Sequence, residues 1–283
     1  MIEKTYVPGR WGQVHLRLAG DPALPPLLLL HPTPKSGWLY EGLMAALSGQ
    51  FRLIAPDTPG YGASDPPPAP ASMFEHADAL LDVLAGLAAS GRISTAPVNT
   101  LGYHTGSSLS VAMAQRQPAR IGRLVLVSIA AYDAATRATK LEKLKDWPGP
   151  RPDGSHMAAM WALVKSLAHP RADPDWLHVS VTENLRCGRR APWGYAAVYG
   201  HDLQAALASL SHEVLLLNPE DDLFDLTRAN RHLLPAARYL ELPGFGHGLF
   251  DYETATIAAE VRAFLAPLVN QHGTAMLDPG EGQ

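Results

Sequence analysis

Cysteine is almost missing, Cys187 being the only one in 283 residues. That excludes an intramolecular disulfide and any cluster of thiolate metal ligands, and it fits a reducing compartment. No apolar run approaches the roughly 20 residues that a helix needs to cross a bilayer. The opening "MIEKTYVPGRWGQ" lacks a charged stretch followed by an apolar one, so no secretory leader is expected. Charge of one sign is scarce too: 23 basic against 27 acidic residues give a net charge of −4. With no block of like charge, neither a nucleic acid nor an anionic membrane surface is an expected partner. A G-x-G-x-x-G phosphate loop and a convincing metal cluster are also lacking. These absences point to a cytoplasmic protein that acts on a small molecule without cofactor or metal, and they leave a homo-oligomer open.

What is present is a regular alternation. Short β-rich apolar runs alternate with amphipathic segments, which predicts a mostly parallel sheet with helices on both faces. An antiparallel opening pair is expected at "KTYVP" and "GQVHLRLA". Buried strands should follow at "LLLL", "FRLIA", "VNTLGY", "RLVLVS", "EVLLLN" and "ARYLEL", for about eight in all. Helical spacing of apolar residues predicts helices over 38–47, 73–90, 107–117 and 254–268. Between "RLVLVS" and "EVLLLN" lie roughly eighty residues, far more than an ordinary connection. The expected division is therefore a core at 1–130 and 201–268, a helical cap at 131–200 inserted after the sixth strand, and a loose tail at 269–283. The cap holds Trp147, Trp161, Trp176 and Trp193, four of the six tryptophans. Most of them should form the cap's own small core, with Trp161 and Trp193 assigned to a substrate pocket.

Ligand sites of open parallel sheets lie beyond the carboxyl ends of the strands. The segments there are "HPTPKSG", "DTPGYGASD", "YHTGSS", "NPEDDLFD" and "PGFGHGLF". Their order and spacing resemble the α/β-hydrolase family along almost the whole chain apart from cap and tail. In that family a Gly-x-nucleophile-x-Gly turn precedes an acid and then a histidine. Here the turn is Gly102, Tyr103, His104, Thr105 and Gly106, so His104 stands where the family has its nucleophile. The glycines answer to a turn too tight for side chains two residues either side of the centre. Ser107 and Ser108 lie past the second glycine, and Ser107 reads as a helix-start residue bonding backbone amides. The set "HPTP.S", "DTPG.G.SD" and "G.HTG" is similar to a branch of predicted bacterial α/β hydrolases with histidine at this position.

The resemblance implies that His247 is the catalytic histidine and that Asp222 orients its ring, with Asp221 and Asp133 as alternative acids and Glu220 a solvated neighbour. It also implies an oxyanion hole from the backbone of Thr105 and, because Pro32 and Pro34 have no N–H, of Thr33. His31 and Tyr103 are assigned to the pocket, while Asp57, Gly60 and Gly62 shape a tight loop beside it. The activity implied is hydrolysis of a small, partly apolar ester, lactone or carbonyl compound. His104 acts either as a covalent nucleophile or with His247 as an acid/base pair. A cofactor-independent lyase and a ligand-binding protein without turnover are the alternatives. A site for a metal on His104, His247 and Asp222 is disfavoured, because the acid is expected behind the histidine ring, facing away from the cleft.

Overall fold

In a computed structural model, which describes residues 1–266, the chain opens with β1 (Glu3–Gly9) and β2 (Gly12–Ala19), an antiparallel pair joined by a two-residue turn. There follow β3 (Pro26–Leu30), α1 (Glu41–Leu47), β4 (Arg52–Pro56), α2 (Met73–Ala89), β5 (Val98–Tyr103), α3 (Thr105–Arg116) and β6 (Ile121–Val127). Five helices come next: α4 (Ala134–Lys143), α5 (Ser155–Leu167), α6 (Pro174–Arg186), α7 (Ala191–Gly200) and α8 (Leu203–Ala208). The chain then forms β7 (Val214–Pro219), α9 (Phe224–Asn230), β8 (Arg238–Leu242), α10 (Leu249–Tyr252) and α11 (Thr254–Leu265). All eight predicted strands are found, and the sheet order is β1-β2-β4-β3-β5-β6-β7-β8, parallel from β4 to β8. The tail expected at 269–283 lies outside the described residues.

The leucine runs explain the layers. Side chains alternate along a strand, so Leu28 and Leu30 of β3 enter one core with α2 and α3, while Leu27 and Leu29 enter another with α1 and α11. The same split separates Leu124 and Leu126 from Val125 and Val127 in β6. Strands covered on both faces have no polar alternation, hence the continuous apolar runs. α2 starts cleanly because Ser72 and Glu75 form a reciprocal capping box.

The helices between β6 and β7 do not form one layer. Those of α5 and α6 share a small core of Val164, Trp176, Leu177 and Val181, against which Trp38 and Tyr252 pack. From α7, Ala197 and Val198 join the main core. Where this segment meets the sheet, a Cβ on Gly194 would come within 2.2 Å of the Thr33 hydroxyl. The segment also grips the loop after β8: His247 N–H donates to Leu167 O at 3.1 Å, and His169 N–H donates to His247 O at 2.7 Å.

The turn glycines answer to close approach. A Cβ on Gly102 would lie 2.1 Å from Gly106 O, and one on Gly106 would lie 1.8 Å from Leu30 O. Leu30 sits in a central strand that cannot retreat. Gly106→Ala should therefore lower stability by about 1–3 kcal/mol, as overpacking does. A urea-unfolding midpoint equal to wild type would contradict that contact.

Candidate active site

The chain leaves β3 toward β4 on one side of the sheet and returns to β5 on the other, so β3 and β5 flank a topological switch point. Their ends are adjacent, Leu30 pairing with Gly102. At the end of β5 the backbone turns sharply: His104 has φ 52° and ψ −110°, a conformation that non-glycine residues rarely adopt. Its N–H donates to Val127 O at 3.0 Å, and its carbonyl accepts from Ser107 N–H at 3.0 Å and Ser108 N–H at 3.3 Å. Strained residues of this kind cluster at functional sites. α3 begins at Thr105, two residues before the predicted start. Ser107 consequently does not cap it: its hydroxyl donates to Gly102 O at 2.8 Å and Val127 O at 3.0 Å, tying strand ends to helix.

Two histidine–aspartate pairs lie side by side at this turn. His247 Nε2 is 2.8 Å from Asp222 Oδ1. His104 Nε2 is 2.9 Å from Asp221 Oδ2, a pairing the sequence did not suggest. The two rings are 5.3 Å apart, edge to face. Asp221 was expected to be an alternative acid for His247; its side chain is instead fully buried behind His104. Its Oδ2 also accepts from Tyr103 Oη at 3.1 Å and Ser128 Oγ at 2.7 Å, and its Oδ1 from Leu223 N–H at 2.8 Å. Ser128, at φ 52°, is the only other described non-glycine residue with positive φ. Asp133 is remote from these groups in role, capping α4 through Thr136 N–H. Glu220 is exposed and accepts from Gly244 N–H.

Electrostatics separate the members. Burial works against a charged His104 ring, but Asp221, through charge and hydrogen bond, and Asp222, through charge, outweigh it and raise its pKa above the ordinary 6.5. Burial pushes the Asp221 carboxyl up, and His104 and Ser128 bring it below the ordinary value. For Asp222 burial also acts upward, yet the His247 hydrogen bond and the charge of His104 hold it at about 2. His104 and Asp221 thus favour an imidazolium–carboxylate pair. Of the ring nitrogens of His104 and His247, each Nδ1 has no hydrogen-bond partner among the described residues.

A cavity of about 150 Å³ opens over these groups, walled by Thr33, Thr105, His104, Asp222 and His247 together with residues of α5, α6 and α7. The Thr105 amide is the first of α3 and has no partner inside the helix. The Thr33 amide makes only a long contact to Thr105 Oγ1 at 3.3 Å. Four pocket assignments need correction. Tyr103 is buried beneath the rings and bonds Asp221, outside the cavity wall. His31 is buried too: its Nδ1–H donates to Pro32 O at 2.9 Å, and its Nε2 accepts from Thr58 N–H at 2.8 Å. An unprotonated Nε2 is needed there, and burial lowers the His31 pKa, so this neutral histidine joins two loops. Trp161 faces outward on α5, and Trp193 does not reach the cavity; Trp176 does. Sequence reasoning also missed Tyr195, Tyr199 and the buried Lys35 in the wall. Asp57 has the expected structural role, its carboxylate binding Arg17, His15 and the Gly37 and Ala63 amides.

The geometry bears on metal binding as well. One nitrogen each of His104 and His247 and one oxygen of Asp222 lie within 4.8 Å of one another. Asp222 is not behind the ring, as expected, but in the cavity wall with its side chain 45% exposed, because Asp221 takes the buried position. A metal at His104 Nε2 would nevertheless have to displace the bond to Asp221, the same nitrogen's 2.9 Å partner.

Known proteins share this arrangement of strands and loops. The pimeloyl-[acyl-carrier protein] methyl ester esterase of Nitrosomonas europaea is 26% identical over 259 residues, 84% of this chain and 93% of that one. An uncharacterized Mycobacterium tuberculosis protein is 32% identical over 112 residues; the match spans 40% of this chain and only 30% of that protein's length. Among solved structures, the enol-lactonase from Burkholderia xenovorans superposes with a TM-score of 0.76 at 20% identity, covering 93% of this chain and 100% of that one. A hydrolase from Pseudomonas aeruginosa gives the same TM-score at 21% identity over 94% of this chain and 99% of that one. A family model described as alpha/beta hydrolase fold matches residues 25–254. With its parallel sheet, strained turn and late histidine in that order, the chain belongs to the alpha/beta hydrolase fold family.

Proposed function

We propose that this protein hydrolyses a small, partly apolar ester, lactone or related carbonyl compound by direct attack of water, using two histidine–aspartate pairs under a helical cap. The observation that carries the reading is the His104–Asp221 contact of 2.9 Å beside the His247–Asp222 contact of 2.8 Å. A histidine whose Nε2 is held by a buried carboxylate favours the charged form, and an imidazolium has no free electron pair for covalent attack. The role that suits it is acid.

In this scheme the carbonyl oxygen accepts from the Thr105 amide and from the Thr33 amide, whose weak contact to Thr105 Oγ1 gives way. His247, its Nε2–H donated to Asp222, takes a proton from water at Nδ1 while the water oxygen bonds the carbonyl carbon. His104, still bonded to Asp221, gives its Nδ1 proton to the departing oxygen as the carbon–oxygen bond breaks. The water proton resides on His247 and the leaving group carries one from His104, so return of one proton through solvent resets the pair. The esterase relative and the lactonase neighbour are consistent with this reaction class. No helix among the described residues is long and apolar enough to cross a membrane.

A panel of short-chain nitrophenyl esters and simple lactones tests the reading with wild type, His104→Ser and His247→Ala. Turnover by wild type is expected, lost in His247→Ala throughout the panel and reduced in His104→Ser most severely for the lactones, whose alkoxide leaving group needs the proton. No hydrolysis of any member, or gain of esterase activity in His104→Ser, points instead to lyase chemistry or binding alone.

A further inference from the structure

A lysine lies sealed in the cavity wall without a counter-ion in contact. Lys35 belongs to the loop after β3, where its N–H closes a turn on Pro32 O at 2.9 Å. Its side chain is buried, 6% exposed. The Nζ group donates to Ser180 O at 2.8 Å and to Ser180 Oγ, both neutral acceptors on α6. An ammonium has three donors, so one remains. Of the two buried arginines, Arg17 is paired with Asp57 and Glu41, and Arg52 donates to the backbone carbonyls of Arg92 and Gly20 at the far end of the sheet from the cavity. Glu183 acts on Lys35 only through space: its Oε1 lies 4.0 Å from Arg186 and its buried Oε2 has no partner. Burying a charge without a partner is costly, and an apolar residue would fill the same space at less cost.

A second group beside it is also unsatisfied. Asn184, 9% exposed and in the same wall, has an Oδ1 with no partner, while its Nδ2 reaches only the Met160 sulfur at 3.3 Å. The amide oxygen and nitrogen are interchangeable by rotation, so Asn184 can turn an N–H into the cavity. Lys35 and Asn184 both line the cavity that His104 and His247 border, and the spare ammonium proton and the spare amide are two donors for the two oxygens of a carboxylate.

We propose that Lys35, assisted by Asn184, anchors a free carboxylate on the substrate, so that the compound cleaved is a small ester or lactone that also carries a carboxylic acid. The proposal rests on the hydrolytic reading for its chemistry, but the anion site stands on its own contacts. Burial drives the Lys35 pKa down to about 7, so the anchor carries its charge below that pH and loses it above. The titrating groups that face it are Glu183 on α6 and, around the cavity, His104, Asp222 and His247. Burial raises the pKa values of the wall residues Tyr195 and Tyr199, which stay neutral.

Calorimetric titration with glutarate and with its uncharged diamide tests the site without turnover. Glutarate should bind wild type at pH 6, the diamide at least tenfold more weakly, and Lys35→Met should abolish the preference while still unfolding cooperatively. From pH 6 to pH 8 wild-type glutarate affinity should fall roughly tenfold, the change expected as a group of pKa 7 loses its proton. His104→Gln should keep that slope. A slope kept in both His104→Gln and His247→Gln needs no substitution at Lys35, so it carries the proposal even if Lys35→Met does not fold. Equal binding of glutarate and diamide, or glutarate binding lost in His104→Gln and kept in Lys35→Met, overturns the proposal. Lysine-dependent glutarate binding with no ester hydrolysed would leave the anion site standing and remove the hydrolytic reading. Hydrolysis of neutral and carboxylate-bearing esters with no lysine-dependent preference would do the reverse.

Discussion

His104→Gln lowers kcat for ester hydrolysis by roughly 10²–10⁴-fold, the range a positioned general acid contributes, with little change in KM. Glutamine spans a similar length and can donate an amide N–H to Asp221, so the buried carboxylate keeps a partner. What it cannot do is carry a proton to the leaving oxygen. Because that proton moves only in the transition state, the loss should fall on kcat and equally on kcat/KM. Steady-state kinetics with an activated and an unactivated ester sharpen the result. An alkoxide leaving group needs the proton, whereas a nitrophenolate hardly does, so the unactivated ester should suffer the larger loss. Equal losses for both esters would show that His104 does not protonate the leaving group.

Asp221→Asn should have the largest effect on stability, about 3–5 kcal/mol, the cost of removing one partner from a buried charge pair. Asp221 Oδ2 accepts from Tyr103, His104 and Ser128 at once. An asparagine must present either an amide nitrogen to those donors or an oxygen without the charge. The pH dependence has a definite sign. Folding raises the His104 pKa above 6.5, so the pair's contribution through histidine is full below that value and fades as pH rises through the higher folded-state pKa. Asp221 is depressed below 3.8, so its contribution is present above 3.8 and fades as pH falls through the folded-state value. The stability difference between wild type and Asp221→Asn should therefore be greatest in mildly acidic to neutral solution and shrink on both sides. Urea unfolding across pH 3–9 reads it. A difference that grows steadily toward alkaline pH would contradict a charged His104.

The strands were legible because burial on both faces leaves uninterrupted apolar runs, and Leu27–Leu30 is read the same way by eye and by packing. The turn was legible because Gly102 and Gly106 are each demanded by a backbone atom about 2 Å from where a Cβ would stand. Asp221 was not. In the run "PEDDLFD" adjacent carboxylates look alike, and only Ser128 and Tyr103, distant in sequence, decide which one is buried. Ser107 was misread because a serine near a helix start ordinarily caps it, whereas a helix beginning at Thr105 places this hydroxyl against the carbonyls of two strands. Nothing in the sequence separates Trp161 and Trp193 from Trp176, since which side of a helix faces the sheet depends on how the helix docks. Lysine is expected at the surface, and nothing in the sequence marks Lys35 as one whose ammonium is held by Ser180 of α6.

The account depends on His104 being a charged acid held by Asp221. The most direct measurement is a ¹⁵N NMR titration of its ring nitrogens in the folded protein. Rings with both nitrogens protonated should predominate at pH 6.5, with the proton lost at a pKa above that value and the midpoint displaced downward in Asp221→Asn. A ring already neutral at pH 6.5, with an unprotonated nitrogen facing the cavity, would contradict the account and restore His104 as a nucleophile.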